Sequence, residues 1–223
     1  MLNKSTKTKD LFCCKVGYLN TLFDNSEYPW EILPRIKEYI KTLTNQSLQC
    51  FTQIAEDVWV GEDVVISPTA TINGPAIIGK GTEIRPGAYI RGNVITGQNC
   101  VIGNSTELKN CILLDKVQVP HYNYVGDSIL GNHAHMGAGS ICSNLKSDGK
   151  NIVIHGDEEI ETGMRKIGAI LGDNADIGCG CVLNPGTVVG QNTSVYPLTS
   201  LRGVYPADCI VKSQKEIVKR KCL

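Results

Sequence analysis

Four features are missing from this 223-residue sequence, and each absence removes a class of function. There is no net charge: Lys plus Arg and Asp plus Glu number 22 each. No global field therefore draws in nucleic acid or an anionic membrane surface, and any anion site must be local. No stretch approaches the ~20 consecutive apolar residues that span a bilayer. The lysine-rich opening, Met1 to Asp10, carries no apolar core of a secretory signal. There is also no CxxC. The closest of the ten cysteines are Cys13-Cys14 and Cys179-x-Cys181, a spacing that suits neither a zinc site nor a disulfide framework. Together these absences predict a cytoplasmic chain with no membrane or nucleic-acid partner, whose reduced thiols serve as small core residues.

What is present is a six-residue period. Stepping by six from Ile54 gives Val60, Ile66, Ile72, Ile78, Ile84, Ile90, Thr96, Ile102, Leu108 and Leu114. The pattern breaks after Val119, resumes at Leu130 and Met136, breaks after Ile141, and returns from Leu171 to Leu201. Only Thr96 among these positions is polar. Glycine often follows the apolar residue, as in Val60-Gly61 and Ile177-Gly178, which suits a sharp corner. The fifth position of the hexad is mostly small. A period of six keeps no 3.6-residue face apolar, so a helix is excluded. The pattern predicts an all-β fold, a parallel β-helix of about six coils whose three faces are short strands and whose stability is a sum of neighbour terms.

Three segments lie outside that prism. Residues 1–53 form a helical extension, with one amphipathic helix from Pro29 to about Leu43 that would pack on or beside the first coil. The β-helix domain runs 54–206 with two inserted loops, 120–129 and 142–170, the second containing a candidate hairpin at Asn151–His155. Residues 207–223 form a polar, helical tail with a basic run from Lys215 to Lys221, read as a solvated terminus. Loops that interrupt a solenoid are where chemistry is expected.

His121 opens the first loop, and imidazole is the side chain suited to taking a proton near neutral pH. A loop histidine with a structural hydrogen bond is the plainer alternative. Arg85 and Lys109 follow apolar hexad positions and are placed on the rim, four hexads apart, projecting near one groove. With Lys166 they would suit a phosphate monoester, although any one of them taken alone fits a solvated surface charge. Backbone amides of Met136-Gly-Ala-Gly-Ser140 would bind a thioester carbonyl and its oxyanion. His133 and His135 with His121 raise a zinc site as a second possibility, since His-x-His on a strand places both rings on one face. Some hexapeptide-repeat proteins, which this chain resembles in its period, bind zinc with three histidines across a trimer interface.

The stretches Arg85-Pro-Gly-Ala88, Gly103-Asn-Ser-Thr-Glu-Leu-Lys109, His121-Tyr-Asn-Tyr124-Val-Gly-Asp127, Met136-Gly-Ala-Gly139 and Asn144 carry a resemblance. From about Ile54 to Lys212 the chain resembles the C-terminal acetyltransferase domain of the bifunctional UDP-N-acetylglucosamine pyrophosphorylase/glucosamine-1-phosphate N-acetyltransferases. The resemblance implies a left-handed β-helix, a homotrimer with active sites between subunits, and acetyl-CoA as co-substrate with no metal. It implies His121 as general base, and Arg85, Lys109, Tyr124, Asn144 and Lys166 as ligands of an amino-sugar 1-phosphate. Ala138, Cys179 and Lys212 would line the acetyl-CoA groove. His135 stands where the family has a substrate-contacting Asn, and residues 1–53 are too short to be the family's nucleotidyltransferase domain. The sequence thus predicts an N-acetyltransferase on glucosamine- or galactosamine-1-phosphate, feeding UDP-N-acetylhexosamine synthesis, with a separate nucleotidyltransferase acting on the product. The alternatives are a non-catalytic sugar-nucleotide-binding or regulatory trimer, an O-acetyltransferase on a related sugar, and a zinc-dependent hydratase.

Overall fold

The computed structural model describes residues 4–13, 17–43 and 49–220. Its body is a parallel β-helix whose strands fall into three sheets of nine, nine and seven strands, each a flat face of a triangular prism. Successive strands along the chain visit the first, second and third face in turn, giving seven complete coils and part of an eighth rather than six. We call the turn from first to second face the first corner, and the next two the second and third.

The hexad residues do point inward. Val60, Ile78, Ile84, Ile90, Ile102, Leu108, Met136, Leu171, Ile177, Leu183 and Leu201 share one buried core. Thr96, the polar exception, is fully buried, and its Oγ1 accepts the Gly79 amide at 2.9 Å. Corner glycines are imposed by the coil above: a Cβ on Gly103 would lie 1.6 Å from the Pro120 carbonyl oxygen. The coil spacing of a parallel sheet, roughly 4.8 Å, leaves no room for it.

The apparent break after Val119 is a slip of register, not a loop. Leu113, and not Leu114, turns inward, so the step from Leu108 is five residues instead of six. Val119 and Val125 then continue the inward series, and a second five-residue step leads to Leu130. Residues 120–129 remain in the coil: Gln118–His121 and Tyr124–Gly126 pair in parallel with the strands below and above. The short steps occur at the third corner, where Asn110 (φ 48°) and Asp127 (φ 47°) adopt the left-handed conformation and tighten the turn. From Leu130 the regular step returns, through Met136 to Cys142, the last inward residue before the insertion.

The first face is apolar on its outer side as well. Ile77, Ile95, Ile112, Ile129, Ile170, Val188 and Val204 are buried there, in a cluster separate from the prism interior. Strands apolar on both sides need cover on both sides, and each such side chain left exposed would forfeit about 1.5–3 kcal/mol. The cover comes from two places. Residues 4–43 contribute Leu11, Leu19, Leu22, Trp30, Leu33 and Ile36, and the insertion contributes Ile152, Ile154 and Ile167. The amphipathic stretch is helical as expected, a 3-10 turn Pro29–Arg35 followed by the α-helix Ile36–Thr42. The extension as a whole, residues 4–43, does not stay at the first coil. Tyr18 donates to the Thr96 carbonyl at 2.8 Å, and the Cys13 amide donates to Asp173 Oδ2 at 2.8 Å, so the segment runs along several coils.

The chain leaves the prism after Cys142 and returns at Ala169. Within this insertion Val153–His155 and Glu159–Glu161 form the expected hairpin. At the ends, two expectations change. Ile54 is half exposed and sits on Phe51–Ala55, which pairs antiparallel with Val58–Gly61 at the edge of the first face. The tail is not helical: Cys209–Ser213 adds in parallel to the second face, with Val211 inward, and Glu216–Lys219 folds back antiparallel. Both antiparallel additions close an otherwise open parallel edge. Cys14 and residues 221–223, including Lys221, lie outside the described residues.

Candidate functional site

Two corners of the third face collect most of the expected site residues. At the third corner, Lys109, Asp127 and Asn144 come from three consecutive coils, because a spacing of 18 or 17 residues returns the chain to the same place one coil on. Asp127 is 4% exposed and is the hub. Its Oδ1 accepts from Lys109 Nζ at 3.2 Å and Asn110 Nδ2 at 2.8 Å. Its Oδ2 accepts from Lys109 Nζ at 2.9 Å and from the Asn144 amide. Asn144 Nδ2 also reaches the Tyr124 hydroxyl at 3.2 Å. Burial, with the Asp127 carboxylate second, holds the Tyr124 phenol above its ordinary range, so it remains a hydroxyl. Lys166 rejoins the same corner through a backbone bridge to Leu145, with its side chain exposed.

At the second corner, on the opposite edge of the third face, His121 is exposed on the strand Gln118–His121. Its amide donates to Asn123 Oδ1 at 3.1 Å and its carbonyl accepts from the Gly139 amide at 3.0 Å, so the backbone is pinned on both sides. Ala138 stands one coil above, and Cys179, exposed, above that: the Gly180 amide donates to the Ala138 carbonyl at 2.8 Å. Arg85 lies at this corner two coils below His121, with its guanidinium turned onto Glu83 at 3.1 Å. Lys212 is farther along the second face, paired with Glu216 at 2.6 Å, and that hydrogen bond raises its pKa.

The single chain therefore does not gather Arg85, Lys109 and Lys166 around His121. They flank the third face, whose strands are three residues wide at most and so roughly 10 Å across. The glycine-rich coil is also more constrained than its composition suggested. The amides of Gly137, Gly139 and Ser140 already donate to carbonyls, and only the Ala138 amide has no acceptor among the described residues. His133 and His135 do not share a strand face. His133 occupies the preceding turn at φ 58°, and His135 starts its strand on the second face, with Nδ1 2.8 Å from Asp176 Oδ1. Among the described residues no group of three His, Cys, Asp or Glu side chains could hold a metal ion, and no helix is long and apolar enough to cross a membrane.

Asp127 is the residue that sequence reasoning passed over. The signal was in the sequence: its 18-residue spacing from Lys109 is three hexads, one coil, which puts carboxylate beside ammonium.

A family model described as the GMPPB C-terminal domain matches residues 72–164. The bifunctional protein GlmU of Methanococcus aeolicus is 34% identical over 91% of this chain and 51% of its own length. A bifunctional sugar-1-phosphate nucleotidylyltransferase/acetyltransferase of Sulfurisphaera tokodaii is 33% identical over 43% of this chain and 24% of its own. The chain thus spans about half the length, or less, of the curated relatives it matches. A solved variant of AntD, an N-acyltransferase from Bacillus cereus with dTDP and coenzyme A, is 21% identical, with a TM-score of 0.42 over 80% of this chain and 91% of that one. In sequence and in fold, the chain is a hexapeptide-repeat β-helix similar to about half of a bifunctional GlmU protein.

Proposed function

We propose that this chain transfers an acetyl group from acetyl-CoA to the amine of an amino-sugar 1-phosphate. The observation that carries the reading is the polar cluster Lys109–Asp127–Asn144–Tyr124 on one edge of the third face, with His121 on the other. A buried carboxylate, an ammonium, an amide and a phenol at one solenoid corner make a polyhydroxylated, phosphorylated ligand a better fit than an apolar one. The relatives named for sugar-phosphate and acetyltransferase chemistry support the same class.

In this reading Lys109, Lys166 and Arg85 receive the phosphate, Tyr124 and Asn144 contact the sugar, and His135 stands on the second face to contact it from there. Acetyl-CoA lies along the second corner past Ala138 and Cys179, with Lys212 toward its nucleotide end. The sugar nitrogen attacks the thioester carbonyl carbon and a C–N bond forms. His121 accepts the proton lost from nitrogen, and the Ala138 amide stabilises the oxyanion. Collapse breaks the C–S bond, and the coenzyme thiolate leaves with a proton returned by the imidazolium. Because Arg85 and Lys166 lie on different edges of the face, the site is completed between subunits of a homotrimer. No metal takes part in these steps.

The test is free-thiol release by the purified protein with acetyl-CoA and glucosamine-1-phosphate or galactosamine-1-phosphate. Turnover with either, lost in His121→Ala, is expected. No thiol release from any amino-sugar phosphate, or an undiminished His121→Ala rate, overturns the proposal.

A further inference from the structure

The polar atoms around Asp127 can be accounted for one by one. An ammonium has three N–H donors. Lys109 Nζ aims at both Asp127 oxygens, at 3.2 and 2.9 Å, which leaves one donor. The Lys109 side chain is 25% exposed, so that donor has access to solvent. A primary amide has two N–H donors and one carbonyl acceptor. Asn144 Nδ2 gives its donors to Asp127 Oδ2 and to the Tyr124 hydroxyl. No described residue donates to its carbonyl. An ionised carboxylate only accepts, so it admits the Asn144 amide in one orientation, NH2 inward and C=O outward. Asn110 Nδ2 occupies the remaining side of Asp127 Oδ1 at 2.8 Å.

The backbone of Asp127 is held as tightly as its side chain. Its amide donates to the Lys109 carbonyl at 2.9 Å, and its carbonyl accepts the Gly168 amide at 2.7 Å, where the insertion rejoins the prism. A carboxylate buried this deeply costs several kcal/mol unless charge and hydrogen bonds offset it, and here both oxygens are fully engaged. The arrangement thus has a chemical output beyond stability: one N–H of an ammonium and one amide carbonyl, both presented outward from the same corner.

We propose that Asp127 is a positioning residue, setting Lys109 as a single-point phosphate donor and Asn144 as an acceptor for the N–H or O–H of the sugar. This rests on the sugar-phosphate reading above, and adds to it that recognition at this corner is fixed by a buried carboxylate that does not itself touch the ligand. With a neutral amide at 127, donors face donors. Lys109 is released and Asn144 can flip, so the site loses its acceptor.

The experiment is a double-mutant cycle of Asp127→Asn and Lys109→Ala, read both as kcat and KM for glucosamine-1-phosphate and as calorimetric affinity for the same compound. Asp127→Asn alone is expected to raise KM and Kd about 10-fold or more, with a smaller fall in kcat. On the Lys109→Ala background the same change is expected to cost clearly less than it does alone, because the Lys109 share is already lost and only the Asn144 share remains. If Asp127→Asn does not fold, Asn110→Ala keeps the carboxylate and removes one of its donors. It should raise KM and Kd several-fold, with the thermal midpoint within a few degrees. Additive effects in the cycle, an Asn110→Ala variant with unchanged KM and Kd, or a Kd unaffected by Asp127→Asn overturns the inference. A wild-type chain that binds the sugar phosphate but does not turn it over overturns the acetyl-transfer reading alone, since the cycle is still read on Kd. No binding at all overturns both.

Discussion

His121 and the core cysteines are opposite cases of what a position does to a side chain. The backbone of His121 is pinned by Asn123 and Gly139 while its ring stands exposed at the second corner. In the proposed reaction, His121→Ala should cut kcat about 10²- to 10⁴-fold, as loss of a general base does. The thermal midpoint should hold, because no buried contact is lost; thiol release and a melting curve on the same preparation check both. Cys100 and Cys142 are inside the prism, and burial pushes their thiols from 9.0 to about 12. Well below pH 9, near pH 7, these thiols are protonated in both folded and unfolded chains and contribute no pH dependence. Above it the unfolded chain sheds protons that the native core retains, so stability falls as pH rises from about 9 toward 12. Urea midpoints at pH 7, 9 and 10 should drop slightly over the first step and more steeply over the second. At pH 8 a thiol reagent should modify the exposed Cys13, Cys50 and Cys179 but not Cys100 or Cys142 until the protein unfolds. The expectation of core thiols holds for Cys100, Cys111, Cys142, Cys181 and Cys209 and fails for the exposed Cys13, Cys50 and Cys179, because spacing alone does not say which side of a coil a residue faces.

At the scale of elements, the hexad spoke clearly wherever the corners had equal length. The inward positions from Val60 to Leu108 and from Leu171 to Leu201 fall where the period puts them. The stretch between Leu108 and Leu130 was misread because two third corners are one residue short, and a slip of one residue in a strand exchanges its two faces. Leu114 consequently faces outward, and what looked like a loop around His121 is two ladder strands. Composition hides such a slip, since Leu113 and Leu114 are alike. The corner glycines give the prediction at this scale. Gly103→Ala would drive a Cβ against the Pro120 carbonyl at 1.6 Å and should cost about 3 kcal/mol or more, by prying two coils apart. Gly139→Ala has nothing within 4 Å and pays only for its φ of 71°, about 1–2 kcal/mol. Denaturant unfolding of the two variants side by side should give that order.

For the whole molecule, the decisive fact is that the three faces are not equivalent. The first is covered by residues 4–43 and by the insertion, which leaves the second and third faces and the corner between them to meet other chains. That corner carries Tyr122 at 65% and Leu198 at 84% exposure, large apolar groups that a lone chain would leave in water. In the proposed homotrimer they are buried. Sedimentation should give a mass near three times 24.2 kDa. Leu198→Asp should lower that mass and reduce acetyl transfer, with far-UV circular dichroism unchanged, because the coil itself does not use this side chain. A wild-type monomer with full activity would remove the trimer from the proposal.

Period, corner glycines and small fifth positions were enough to determine a parallel prism, because each coil repeats the same local steric problem and the residues record its solution every six positions. The interrupted solenoid put His121 and Lys109 forward, and the family resemblance added Tyr124 and Asn144. What only the tertiary structure decided is how these are shared out: the register slips, the cover over the first face, and the placing of His121 and Lys109 on opposite edges of the third face. It also decided that Asp127, to which the sequence reading gave no role, is the buried charge that joins three coils. These depend on contacts one coil apart, 17 or 18 residues along the chain, where a one-residue change in a corner moves every later side chain to a new face.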